Sequence, residues 1–221
     1  AVKQLADSGI RTVDYESGIR NQVDTAIRRA VMTGVNQINQ RYAEQSTDYL
    51  ETDLVETSAH IGARNTGVGP MNHESWQGQW FRWSEKPRTS DGNYPDFIAT
   101  TGYGTGEGLG GWNCRHTFTP VVEDVNEPTY SRADLDAMKG ENRKFTFDGK
   151  EYDGYTATQE QRKVERTIRK LKREKAAYNA AGLSEKEQAV SIRLRRLNAK
   201  YKAFSKRAGL PEQKERLKVL Y

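Results

Sequence analysis

The chain has 221 residues, 35% of them hydrophobic and 29% charged, with a mean hydropathy of -0.91; this suffices for one well-buried domain with an appendage, or for two small domains. No stretch approaches the roughly 18 apolar residues of a membrane-spanning helix, none has the pattern of a signal peptide, and no membrane partner is expected. The formal net charge of +5 hides an asymmetry: residues 156–221 carry 19 Lys/Arg against 7 Asp/Glu, whereas the preceding 155 residues carry 16 against 23.

The sequence divides into an N-terminal helical segment (1–52), a central α+β domain (53–155) and a basic helical hairpin (156–221). The chain begins at Ala1 without an initiator Met, and is expected to be a processed or excised piece of a longer protein. A long amphipathic helix is predicted from about Tyr15 to Glu44. Ile19, Val23, Ile27, Val31, Val35, Ile38 and Tyr42 recur at steps of four and three and line one face, which must be buried against something. Gly18 and Gly34 interrupt this helix at about 1 kcal/mol each relative to Ala, and close packing against another element would explain Gly34.

From Asp53 the period changes. Leu54–Ala59 reads as a short strand and Trp76–Trp83 as a second. Tyr94–Gly111 reads as loop, with glycine at 102, 104, 106, 108, 110 and 111; a run this flexible binds something or lets another backbone approach closely. Arg115–Val122, broken by Pro120, is the next predicted strand. Ser131 caps a short helix ending near Gly140. Phe145–Phe147, Asp148-Gly149 and Glu151-Tyr152 form a hairpin signal, because Asp-Gly suits a type I′ turn.

In the tail, Thr158 with Gln161 and Ser184 with Glu187 have capping-box spacing. Val164, Ile168 and Leu171 mark the apolar face of the first helix. Val190, Leu194, Leu197, Tyr201 and Phe204 mark that of the second. The two are predicted to be antiparallel, joined at Gly182-Leu183, with Gly209 and Pro211 as the stop. A tail this basic suits a polyanion or an acidic protein surface. Its candidate nucleic-acid contacts are Arg162, Arg166, Arg169, Lys172, Arg173, Arg193, Arg196 and Lys200; the alternative is a solvated helical face.

Candidate chemistry lies in the centre. His60, His73 and His116, with Arg64 and Arg115, admit three readings. In metal-free phosphodiester chemistry, one histidine takes a proton, another returns one, and an arginine stabilises charge on phosphorus. In a metal site, His60, His73, Cys114 and His116 make a four-ligand zinc set; however, Cys114 and His116 are two apart and would point to opposite faces of a strand. In a structural role, these side chains hold loop carbonyls in place. No cofactor is expected, zinc being the alternative. The glycine run fails the nucleotide-loop tests: no Gly-Lys-Ser/Thr follows it, and it lacks the strand and helix of a dinucleotide fingerprint. Cys114 is the only cysteine, so no intrachain disulfide forms, which fits a reducing compartment.

Taken in order, Ser58-Ala59-His60-x-Gly62-Ala63-Arg64, Trp76-Gln77-Gly78, Tyr94-Pro95, Gly108-Leu109-Gly110-Gly111-Trp112-Asn113-Cys114-Arg115-His116 and Pro120 resemble the phage minor capsid protein 2 family. Val23, Ala26, Arg29 and Thr33-Gly34-Val35 before them are similar as well. So are Tyr155 to Arg162, Tyr201 to Lys206 and Gly209-Leu210 after them. The resemblance runs from about residue 15 to 219. It implies a minor component of a tailed-phage or prophage head, encoded near the portal and present in few copies. It further implies portal or capsid proteins as partners, packaged double-stranded DNA as a candidate partner, and assembly in the host cytoplasm. A wider group of phage head proteins, some fused to toxin-like domains, often has a second Cys where this chain has His116. No catalytic role transfers to the histidines, and a phage-delivered nuclease or toxin-like transferase is the alternative reading.

Overall fold

The computed structural model describes residues 12–14, 16, 18 and 20–219. The fold is mixed α+β. By compactness, residues 29–144 with 153–155 form one unit; the described residues up to 28, with 145–152 and 156–219, form the other.

The chain opens with a short antiparallel ladder, β1 (Thr12–Asp14) and β2 (Arg20–Gln22). The long helix α1 then runs Val23–Tyr49. Its start therefore lies well after the position expected; Tyr15 and Ile19 fall outside the described residues, and Gly18, with φ +75°, lies between the two strands. The apolar stripe is on the side opposite to that expected. Val31, Val35, Ile38 and Tyr42 are 50–73% exposed, whereas Ala26, Gln40, Ala43 and Thr47 are buried. The physical reason is size. Small residues let the helix approach closely: Ala43 enters the aromatic core, and Gln40 lies directly against Gly110. Gly34 is inside the helix, but open space surrounds its missing Cβ, so close packing does not account for it.

The first unit is built on a three-stranded antiparallel sheet in which β3 (Leu54–Thr57) lies between β4 (Trp80–Arg82) and β5 (Phe118–Val121). All four residues of β3 are buried. Pro120 is tolerated because β5 is an edge strand, where a missing N–H costs no ladder bond. Val55, Phe81, Phe97, Leu109, Phe118, Trp76 and Trp83 pack with Ala43 into the core. Two buried carboxylates tie loops to this sheet. Asp53 accepts from Arg82 Nε at 3.0 Å, Thr89 Oγ1 at 3.0 Å and the Ser90 amide at 3.0 Å. Glu56 accepts from the Thr129 amide at 2.8 Å and its hydroxyl at 2.6 Å.

Both flanking strands are shorter than expected, because helix and loop displace their ends. Trp76 closes a one-turn helix, α2 (His73–Trp76), and residues 114–117 are irregular. A second helix, α3 (Phe97–Thr101), lies within the segment read as loop. Asp96 caps it by accepting from the Ala99 amide at 2.7 Å, and Gly102 closes it in the left-handed conformation. Helix α4 (Arg132–Met138) starts at Ser131 with a complete capping box through Asp134.

The second unit contains the hairpin β6 (Phe145–Phe147) and β7 (Lys150–Tyr152). Asp148 and Gly149 both have positive φ in its turn, as a type I′ turn requires. Helices α5 (Gly154–Ala180) and α6 (Ser184–Ala208) follow. Val164 and Ile168 meet Tyr201, while Leu171 and Tyr178 meet Val190, so the two helices are antiparallel. Phe204 packs among Phe145, Phe147 and Tyr152, seating the hairpin on α6. Two of the expected caps are not used. Thr158 lies inside α5, and Gln161 instead donates to Ser205 Oγ and the Pro211 carbonyl, both at 3.0 Å. The cap of α6 is Leu183, with no side-chain cap bond, and Glu187 accepts from Ser191 Oγ. Gly209 closes α6 in the left-handed conformation, as expected.

Candidate functional site

Three loops converge beside the end of β3: residues 58–64 leaving the strand, residues 69–77 around α2, and the glycine-rich segment 102–116. Backbone approach explains why that last segment is glycine-rich. A Cβ at Gly108 would stand 2.5 Å from the Thr101 carbonyl oxygen, and one at Gly111 2.5 Å from the Thr105 carbonyl oxygen. Real Cβ atoms do not come that close to backbone, so only glycine closes these two turns.

All three histidines meet here. The His60 ring stacks on His116 with centroids 4.3 Å apart and planes at 24°. His73 meets His116 edge-on at 5.3 Å, and Trp76 packs against both, at 4.8 Å to each. His73 Nε2 is 2.9 Å from the Glu107 carbonyl oxygen. His116 Nε2 is 3.2 Å from Gln77 Oε1, which also accepts from the His60 amide at 3.0 Å. The Cys114 Sγ lies 3.6 Å from His116 Nδ1. Because residues 114–117 are irregular and not a strand, Cys114 and His116 point into one place. The expectation that they face apart is overturned.

Arg64 donates to the Glu107 carbonyl at 3.5 Å and the Trp112 carbonyl at 3.2 Å, and so ties the first loop to the third. Arg115 is exposed, although its charge acts on His116. Thus His60, Arg64, His73, Cys114 and His116 are brought together, with Arg115 at the rim. Gln77 and Trp76 complete the cluster. They were visible in the sequence only as part of Trp76-Gln77-Gly78, and nothing there marked Gln77 as the residue that orients two histidines.

Burial governs the electrostatics. It pushes the His116 imidazole down to about 2, helped by the neighbouring charges of His60, His73 and Arg115. Burial lowers His73 as well, more than the Glu107 carbonyl raises it. It pushes the Cys114 thiol up. The set is therefore neutral at physiological pH: two imidazoles with lone pairs and a thiol. A general acid or base works best with a pKa near the operating pH, and burial moves both buried histidines downward from the ordinary imidazole value.

The basic tail resolves into two faces. On α5, Arg162, Arg166, Arg169 and Arg173 follow one another at helical spacing. Arg169 donates to the Arg216 carbonyl at 2.6 Å and Lys172 to the Leu217 carbonyl at 2.7 Å; both hold the C-terminal segment in place. On α6, Arg193 and Arg196 are exposed, and Lys200 pairs with Asp148 at 2.5 Å. Arg195, Lys202, Lys206 and Arg207 are exposed too, so residues 188–211 present seven Lys/Arg and no Asp or Glu.

No curated protein matches the chain, and no solved structure does. A family model described as phage minor capsid protein 2 matches residues 1–206, nearly the whole chain and the entire ordered set of motifs around the histidine cluster. The chain belongs to the phage minor capsid protein 2 family and is a structural component of the phage capsid.

Proposed function

We propose that this chain is a minor head component seated near the portal of a tailed phage, with the basic face of α6 against packaged double-stranded DNA. The observation that carries the DNA contact is the acid-free run on α6, all seven of whose Lys/Arg side chains are exposed. A duplex carries one negative charge per about 1.7 Å of axis, and cations that neutralise its phosphates release counterions. The exposed stripe of α1 supports the protein contact. With Tyr49, 87% exposed, it forms a row of exposed large hydrophobic side chains, and contiguous exposed apolar surface marks interaction sites. That surface suits a neighbouring portal or capsid protein, and the family suggests association with other virion proteins.

The test measures binding of a short random-sequence duplex across a salt series, for the parent chain and for Arg193→Gln/Arg196→Gln/Lys202→Gln. The parent is expected to bind with an affinity that falls steeply with salt. The triple variant should lose affinity and flatten the log–log slope by about 0.9 for each phosphate contact removed. Binding indifferent to salt, or unchanged in the triple variant, would overturn the reading.

A further inference from the structure

The buried histidine cluster has the properties of a metal site, independently of any contact with DNA. His73, Cys114 and His116 each offer one donor atom, all within 4.8 Å of one another, and the two histidines are buried. Zinc bonds of about 2.3 Å to sulfur and about 2.0–2.1 Å to nitrogen, at the tetrahedral angle, place two such donors about 3.6 Å apart. Cys114 Sγ and His116 Nδ1 are 3.6 Å apart. One edge of the tetrahedron therefore already has the required length, and the other two, no longer than 4.8 Å, close to roughly 3.4–3.6 Å when the ion binds.

The surroundings of the two imidazoles provide a second observation. Each is held through Nε2 by an oxygen acceptor: the Glu107 carbonyl for His73, and the Gln77 carboxamide for His116. An Nε2–H donated to an oxygen leaves Nδ1 with its lone pair. This is the outer arrangement that fixes tautomer and ring direction in metal-binding histidines. Gln77 is itself buried, and its Oε1 is aimed by the His60 amide.

We propose that His73, Cys114 and His116 bind one zinc ion, which fastens the glycine-rich loop to α2. A thiolate with two imidazoles is a donor set that favours zinc over the harder divalent cations. On coordination the Cys114 thiol gives its proton to solvent, and water takes the fourth tetrahedral position. His60 is not a ligand. Its ring lies flat on His116, beside the donors, and serves as packing.

The full chain, stripped with a chelator and dialysed, is titrated with zinc alone and with cobalt(II) alone. Expected are one zinc per chain, a thiolate-to-cobalt charge-transfer band that zinc abolishes, and a higher Tm with zinc. Cys114→Ala and His73→Ala should each weaken zinc binding at least 100-fold. Gln77→Ala should weaken it by about 10–100-fold through the lost outer contact, and His60→Ala should leave it within threefold. Failure of the folded chain to take up zinc, a cobalt spectrum without thiolate character, or affinity unchanged in Cys114→Ala would overturn the proposal. So would a 100-fold loss in His60→Ala. Should Cys114→Ala not fold, the cobalt spectrum of the parent chain decides alone.

Discussion

Substituting Gly108 by alanine tests whether the glycine-rich segment is built by backbone contact. Its added Cβ would overlap the Gly102 carbonyl oxygen and stand 2.5 Å from both the Gly102 carbonyl carbon and the Thr101 carbonyl oxygen. None of these is the end of a flexible side chain. The chain must therefore open the turn, and Leu109 donates its amide to the same Thr101 carbonyl at 2.9 Å. Leu109 is 1% exposed in the aromatic core, so the displacement carries into packing. Overpacking costs about 1–3 kcal/mol and occasionally more; with a core side chain and a buried hydrogen bond disturbed, about 3 kcal/mol is expected. In a unit of this size that lowers Tm by on the order of 10–15 °C. Urea denaturation followed by tryptophan fluorescence measures it directly, since Trp76 and Trp83 lie in that core. A Gly108→Ala chain within about 0.5 kcal/mol of the parent would refute the view that backbone contact dictates glycine here.

Gly34→Ala should do the opposite and raise stability by about 0.5–1 kcal/mol, because open space surrounds this mid-helix position; the same urea titration reports it. Asp53→Asn should cost about 2–4 kcal/mol at pH 7 by leaving buried donors without their charged acceptor. Burial raises the Asp53 carboxyl, but hydrogen bonds from Ser90, Thr89 and Arg82 outweigh it and hold the group below the usual carboxylate range. Its stabilisation is therefore complete above the ordinary aspartate value, about 3.9, and is lost as pH falls through the lower folded value. The gap between parent and variant in urea midpoints should close as the solution is acidified. Tyr201→Phe should cost about 1–3 kcal/mol, read as a lower thermal midpoint. The hydroxyl donates to buried Glu165 at 3.1 Å and accepts from the Gln213 amide at 2.8 Å; removing it takes this acceptor from the Gln213 amide and leaves Glu165 with Arg216 at 3.8 Å.

Local chemistry made much of the fold legible in advance. Asp148-Gly149 announced its hairpin because positive φ at both turn positions is a property of two adjacent residues. Ser131 announced α4 because a cap and its partner lie three residues apart. Capping patterns misled at Thr158 and Ser184, where neighbouring residues extend the helix past the apparent start. The candidate site was half visible: the residue types were evident, while their meeting depended on contacts between segments up to 56 residues apart, from His60 to His116.

The sequence by itself determined what depends on neighbours and on order: the β6–β7 hairpin, the start of α4, the two-helix tail, its excess of positive charge, and the ordered motifs that place the chain in its family. Only the tertiary structure decided which face of α1 is buried, because a stripe of valine and isoleucine records hydrophobicity but not whether small residues opposite fit more closely. It also decided that Cys114 and His116 point together, since residues 114–117 are irregular and the alternation of an extended strand, which would have sent the two side chains apart, does not apply. The glycine run stands between the two. Its composition announced a close approach of backbone, and the fold revealed that the approaching backbone is its own.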